Sequence, residues 1–203
     1  NFTNSLLVGH ATTGTLNASE YNVGVGIGAM TKLTSADNNT TLGYNAGGNI
    51  TTGGGNTFIG AFAGQSVAGG TNNTSVGKLA GGGLNSAANY NICLGEDAGD
   101  SITSGDGNVV IGKADVTSGT GDRQLSISGY DGSTTTTWIS GDSNGQVKLI
   151  SGYVLEVALT DAATITWNAA TQPVAKVTLG ASRTMGLPAN PVNGQFISLL
   201  IIQ

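Results

Sequence analysis

Residues 56–64, 73–81 and 91–99 read NTFIGAFAG, NTSVGKLAG and NICLGEDAG, and the three strings share one frame: Asn, three residues ending in an aliphatic, Gly, two variable residues, then Ala-Gly. Carried along the chain, the frame places Gly9, Gly26, Gly43, Gly60, Gly77, Gly95 and Gly112 in one column, with steps of 17 residues and a single step of 18 between Gly77 and Gly95. Before each glycine stands Val8, Val25, Leu42, Ile59, Val76, Leu94 or Ile111. Four places before every glycine but the first stands Asn22, Asn39, Asn56, Asn73, Asn91 or Asn108. Seven places after the glycine a second apolar column runs Leu16, Leu33, Ile50, Val67, Leu84 and Ile102, and between them Ala-Gly recurs at Ala46-Gly47, Ala63-Gly64, Ala80-Gly81 and Ala98-Gly99. The additional residue falls within 86–90, ahead of Asn91, where an insertion into a surface turn is tolerated.

A period of this length with branched apolar residues at fixed sites reads as one coil of a parallel β-roll or β-solenoid, two short strands and two turns per repeat, about seven coils in all. Two large side chains per coil contribute roughly 1.5–3 kcal/mol each on burial. Ordering the 17 residues of the coil costs about 1–2 kcal/mol per residue. No coil stands alone, so each must pair with those above and below; at a spacing of about 4.8 Å, seven coils span roughly 30–35 Å. Ala and Gly occupy places where a thicker solenoid carries large residues. The interior is therefore thin, and the aliphatic columns are expected to be shared with neighbouring chains, three around one axis. The Asn column can close Asx-type turns or stack as a ladder from coil to coil. The column glycine fits a sharp corner after each strand.

Composition supports strands and excludes several functions. Gly supplies 34 residues and Pro only 3, which favours tight turns over helices. A hydrophobic fraction of 38% is too high for a disordered linker, while 9% charged and 5% aromatic residues fit an ordinary mixed globule poorly. Net charge is −5 with seven scattered Lys and Arg, so a nucleic-acid partner is disfavoured. The longest apolar run, residues 196–202, is too short to cross a bilayer, and no membrane insertion is expected. Cys93, the single cysteine, sits inside the repeat and reads as a small buried apolar residue.

The repeat strings resemble those in the head regions of trimeric autotransporter adhesins and in bacteriophage tail-fibre proteins. The resemblance covers about residues 4–116 and implies a parallel β-roll assembled as a homotrimer. Thr12-Thr13 and Ala29-Met30 replace Ala-Gly in the first two coils. The last coil carries Asp115-Val116 there and Gly119 in place of the second apolar residue, as a terminal capping coil would.

From about Thr117 the period fails, and the sequence predicts β-hairpins: Leu125 and Ile127 on one face, a turn at Asp131-Gly132, a strand around Trp138 and Ile139, and a turn at Asn144-Gly145 before Val147 and Leu149. The remainder, with TDAATITW, VTLGASRTM, LPANP and GQFISLLIIQ, offers further strands and a turn or corner at Asn193-Gly194. These strings are similar to a C-terminal module of structural proteins of tailed phages. The resemblance implies that the chain continues past Gln203, because an unpaired apolar strand over 196–202 would leave an open edge. The expected organisation is all-β: a roll over 1–116, a hairpin connector over 117–152 and a C-terminal β module over 153–203.

Candidate chemistry is sparse. His10 follows the first column glycine and has no partner motif for catalysis or metal binding. Glu96, Asp97, Asp100 and Asp106 cluster weakly, without the spacing of known calcium loops. Tyr44, Phe62 and Tyr90 lie in turns of the roll and could contact sugar, although isolated surface aromatics are commonplace. The expectation is a non-enzymatic, cofactor-free homotrimeric stalk of a phage tail fibre or virion appendage. It would contact other virion proteins and support attachment to a host-surface glycan or protein. The alternatives are a bacterial surface adhesin whose turns bind glycans, and a polysaccharide-depolymerising spike using paired carboxylates.

Overall fold

The computed structural model describes residues 5–9, 19–149, 156–168, 174–187, 189 and 198–202. His10, Thr12-Thr13, Leu16 and the Asn193-Gly194 turn lie outside the described residues. No helix occurs among those described, and the chain forms two compact units, Asn1–Ser151 and Gly152–Gln203.

The first unit is a parallel β-solenoid. Its strands are β1 (Leu6–Val8), β2 (Val23–Val25), β3 (Thr40–Leu42), β4 (Thr57–Ile59), β5 (Thr74–Val76), β6 (Ile92–Leu94), β7 (Val109–Ile111), β8 (Leu125–Tyr130), β9 (Thr135–Gly141) and β10 (Val147–Leu149). Among the described residues they make one ten-stranded sheet in sequence order, parallel from β1 to β8 and antiparallel from β8 to β10. The register follows the repeat: Thr40 pairs with Thr57, Thr57 with Thr74, and Thr74 with Ile92 across the one 18-residue step. One strand forms per coil, not the two expected. Around the rest of each turn, coils join through single backbone bonds, such as Gly47 N–H to Ala63 O and Gly64 N–H to Ala80 O, both 2.9 Å. Isolated bonds between left-handed corners hold the coils together but do not make a ladder.

Each short strand turns only its middle residue inward. Phe58, Cys93 and Val110 are fully buried there, as are Thr41 and Ser75. The inward column ranges in size from Gly24 to Phe58, and the Phe58 ring takes the space that Gly64 leaves, where a Cβ would stand 2.6 Å from it. Opposite, Leu33, Ile50, Val67, Leu84 and Ile102 form the core with Ala46, Ala63, Ala80 and Ala98, so the second apolar column is buried within the one chain and is not, as expected, shared with neighbours. Met30 stands in the glycine place of its coil and keeps a φ of 51°, like Gly47 and Gly64 at 57°. It is fully buried in the coil whose inward strand position is Gly24, so its bulk offsets the side chain missing there. The column glycine is required twice over at Gly60: its φ is 131°, and a Cβ would collide with the Gly77 carbonyl.

The Asn column is a buried ladder. Asn56 Oδ1 accepts from the Asn73 backbone N–H at 3.0 Å and from Asn73 Nδ2 at 3.1 Å, and Asn73 Nδ2 also donates to Ala88 O at 2.9 Å. The same set recurs from Asn22 to Asn108. The ladder ends at Gln124, 16 residues beyond Asn108. Its N–H and Nε2 donate to Asn108 Oδ1, and its longer side chain folds back to donate to Ser118 O and accept from Ser118 N–H. The period therefore does not stop at Thr117: β8 adds another parallel rung, with Leu125 opposite Val109. The glycine column is lost there while the coil continues, because Gln124 supplies the hydrogen bonds of the missing Asn.

The hairpins form where expected. Asp131 Oδ1 accepts from the N–H groups of Ser133 and Thr134 in the β8–β9 turn, which holds its carboxyl below the usual carboxylate range. Gly145, at φ 79°, turns β9 into β10. Trp138 is the additional residue of a β-bulge in β9, and its indole lies over Gly129, where a Cβ would collide with it.

The second unit covers the stretch for which a C-terminal β module was expected, and it is built of short strands. Its strands are β11 (Glu156–Ala158), β12 (Thr164–Ile165), β13 (Val174–Thr178), β14 (Thr184–Met185) and β15 (Ser198–Ile202). All pair in parallel: β11 with β13, β13 with β15, and β12 with β14, at offsets of 18, 24 and 20 residues. These are further coils of irregular length. β15 is paired along β13, so the apolar run expected to be unpaired has one satisfied edge. Asp161 accepts from Gly180 N–H and from Arg183 Nη2 at 3.0 and 2.9 Å, tying coils together at a corner.

Candidate assembly face and surface sites

Alternation along a three-residue strand that buries its centre turns both ends outward. The residue before each column glycine, in a column expected to be shared with neighbouring chains, stands on the outer face of the sheet: Leu42 is 49% exposed, Val76 36% and Ile111 37%. Ile59 and Leu94 on the same column are half-buried by their neighbours. At the other strand end, Leu6, Val23 and Ile92 are exposed too. One chain thus closes its core without the first apolar column, using the second column, the Ala column and inward strand residues such as Phe58, Cys93 and Val110. The first column becomes a continuous aliphatic strip along eight parallel rungs, about 34 Å long at the usual strand spacing. The exposed aliphatic residues of this column are aligned along the sheet and are not scattered singly over the surface.

Ions decorate one corner of the roll. Lys78 pairs with Glu96 at 3.1 Å, and Lys113 reaches Asp97 at 2.6 Å and Glu96 at 3.5 Å. Lys78 and Lys113 hold the Glu96 carboxyl below its ordinary range, and Asp97 and Glu96 raise Lys113. Asp100, partly buried and facing Asp115 and Asp97, is shifted upward. Asp106 Oδ1 accepts from Asn89 N–H at 2.7 Å. Of the acidic residues picked out in the sequence, Glu96 and Asp97 pair with lysines and Asp106 with the preceding coil, and no group of three metal-ligating side chains is found among the described residues. Cys93 is buried, and burial pushes its thiol up to about 12.

The three candidate contact aromatics separate. Tyr44 and Phe62 meet edge to face, ring centres 5.1 Å apart at 86°, on adjacent coils. Tyr90 is 64% exposed in a different turn, the one before the Asn column. It has φ 59°, in a column of left-handed corners that includes Tyr21, Asn38, Gly55, Asn72 and Gly107. Beside the Tyr44–Phe62 pair lies a depression lined by Thr31, Asn45, Gly48, Asn49 and Gln65. Sequence reasoning missed these residues because they stand two, five and six places after the column glycine, in columns of mixed chemistry. Stacking the coils at 17-residue steps would have placed Asn45 beside Phe62 and Gly48 beside Gln65.

The fold defines the class: a parallel β-solenoid stacked on an internal Asn ladder. No family model, curated protein or solved structure matches the chain.

Proposed function

We propose that this chain is a segment of a homotrimeric fibrous structural protein, a tail fibre or comparable virion appendage acting outside the cell, whose mechanical role is to carry host attachment. The observation that supports this reading is the outward aliphatic strip. A single chain satisfies its backbone and Asn ladder internally, yet leaves a strip of Val, Leu and Ile facing outward, and three strips around one axis cover one another. The adhesin head and tail-fibre repeats that these strings resemble imply the same assembly. Parallel stacking leaves each coil in contact with the next, which suits a stiff stalk.

Replacing Leu42 with Asp separates this reading from a free-standing roll. On a solvated face the change alters stability by no more than about 0.5 kcal/mol. Between chains it buries an unpaired charge, and sedimentation velocity would show the assembly falling to single chains. An L42D protein that sediments and melts like the unmodified chain would rule the strip out as an assembly face.

A further inference from the structure

The Asn ladder and the depression beside Tyr44 use the same side chain in opposite ways. Every ladder amide is saturated: Asn56 and Asn73 each donate and accept on both sides. The side-chain amides of Asn45, Asn49 and Gln65 make no hydrogen bond to the described residues, although all three are half-buried and line one depression of about 180 Å³. Three unspent amides present donors and acceptors together. No charged side chain lines the depression, and Thr31 and Gly48 complete it. The Tyr44–Phe62 pair is its neighbour through the backbone, not part of its lining: Asn45 follows Tyr44 in the chain, and Gln65 N–H donates to Phe62 O at 3.3 Å. Phe62 holds this place at φ 62°, a conformation that costs a non-glycine residue of order 1–3 kcal/mol. Its ring is not part of the core.

An aromatic edge beside neutral amides is the chemistry that recognises a sugar ring, whose C–H face packs on aromatic carbon while its hydroxyls both donate and accept. An anionic ligand would meet no cation among the lining residues. The volume is below the roughly 300–1,000 Å³ of pockets that enclose drug-sized ligands, so one ring fits and the rest of a chain would lie along the surface. We infer that the Tyr44, Phe62, Asn45, Asn49 and Gln65 cluster binds one residue of a neutral glycan. This deepens the attachment reading above by giving the roll itself a ligand class, and it is tested apart from assembly.

The test is saturation-transfer NMR on the full chain with the methyl glycosides of glucose, galactose, mannose and N-acetylglucosamine, and with methyl sialoside as an acidic probe. At least one neutral glycoside should receive transfer, with Y44A and Q65A each weakening its binding about tenfold, or ~1.4 kcal/mol. F62G removes the ring while relieving the left-handed backbone, so its loss of binding cannot come from unfolding. W138A, which changes a different exposed aromatic, should leave transfer unchanged. Transfer from no neutral glycoside, transfer only from the sialoside, transfer indifferent to Y44A, F62G and Q65A, or transfer lost only in W138A would each overturn the site. Light scattering on the same samples reads assembly independently, so a trimer that binds no sugar refutes the site alone.

Discussion

The two units stack parallel strands by different means. In the first, a 17-residue period carries a glycine corner and an Asn ladder from coil to coil, and every buried amide has its partners. In the second, offsets of 18, 20 and 24 residues join the same kind of parallel pairs, and Asp161 with Arg183 is the tie seen at its corner. Coiling in parallel therefore does not require a strict period. The period is the mark of a side-chain ladder, which still closes across an 18-residue step from Asn73 to Asn91 and a 16-residue step from Asn108 to Gln124.

The sharpest way to break that contrast is to cut the ladder. Asn73→Leu takes the side-chain partner from the Asn91 N–H and from Ala88 O, while Asn91 Nδ2 keeps Gly105 O and Asn56 Oδ1 keeps the main-chain N–H of residue 73. At about 1–3 kcal/mol for each of these two groups left unsatisfied, the roll should lose roughly 2–6 kcal/mol, read as a lower urea midpoint. Hydrogen exchange in β13 should be unmoved. Next in size, Gly60→Ala meets both a φ of 131° and the Gly77 carbonyl. It should cost about 2–4 kcal/mol, whereas Gly132→Ala, with open space around it, should cost only its backbone strain.

The roll was legible because its chemistry repeats. The Ala-Gly pairs and the Leu33-to-Ile102 column pointed to an interior that the structure confirms. The fate of the column before each glycine was not legible, since an aliphatic side chain reads alike whether it faces its own coil or a neighbour. The continuation through Gln124 was hidden because Gln replaced Asn with one residue fewer in the step. The second unit's coils were hidden because strands such as β12 and β14 are two residues long and share no marked column. Of the candidate contact residues, Tyr44 and Phe62 could be named from the sequence, but their neighbours Asn45 and Gln65 became visible only when the coils were stacked.

Two smaller effects follow from buried and paired charges. Cys93, held up to about 12 by burial, stays protonated in the folded roll. Its contribution is intact below the ordinary thiol value near 8.5 and is lost as pH rises from there toward the folded value. Below pH 8 the thiol should resist maleimide until the roll is unfolded in urea; rapid labelling of the native chain would contradict its burial. Asp161 is depressed by Arg183 and by Gly180 N–H. Its contribution is present above the ordinary aspartate value of about 3.9 and is lost as pH falls through the lower folded value. Asp161→Asn should flatten the acid dependence of exchange in β13 and β14 and leave that of β3 to β7 unchanged.

The outward aliphatic strip is tested most directly by the mass of the unmodified folded chain in solution, by light scattering over a range of concentrations. The account predicts three times the 20.1 kDa chain mass. A persistent 20.1 kDa species with the roll folded would contradict it.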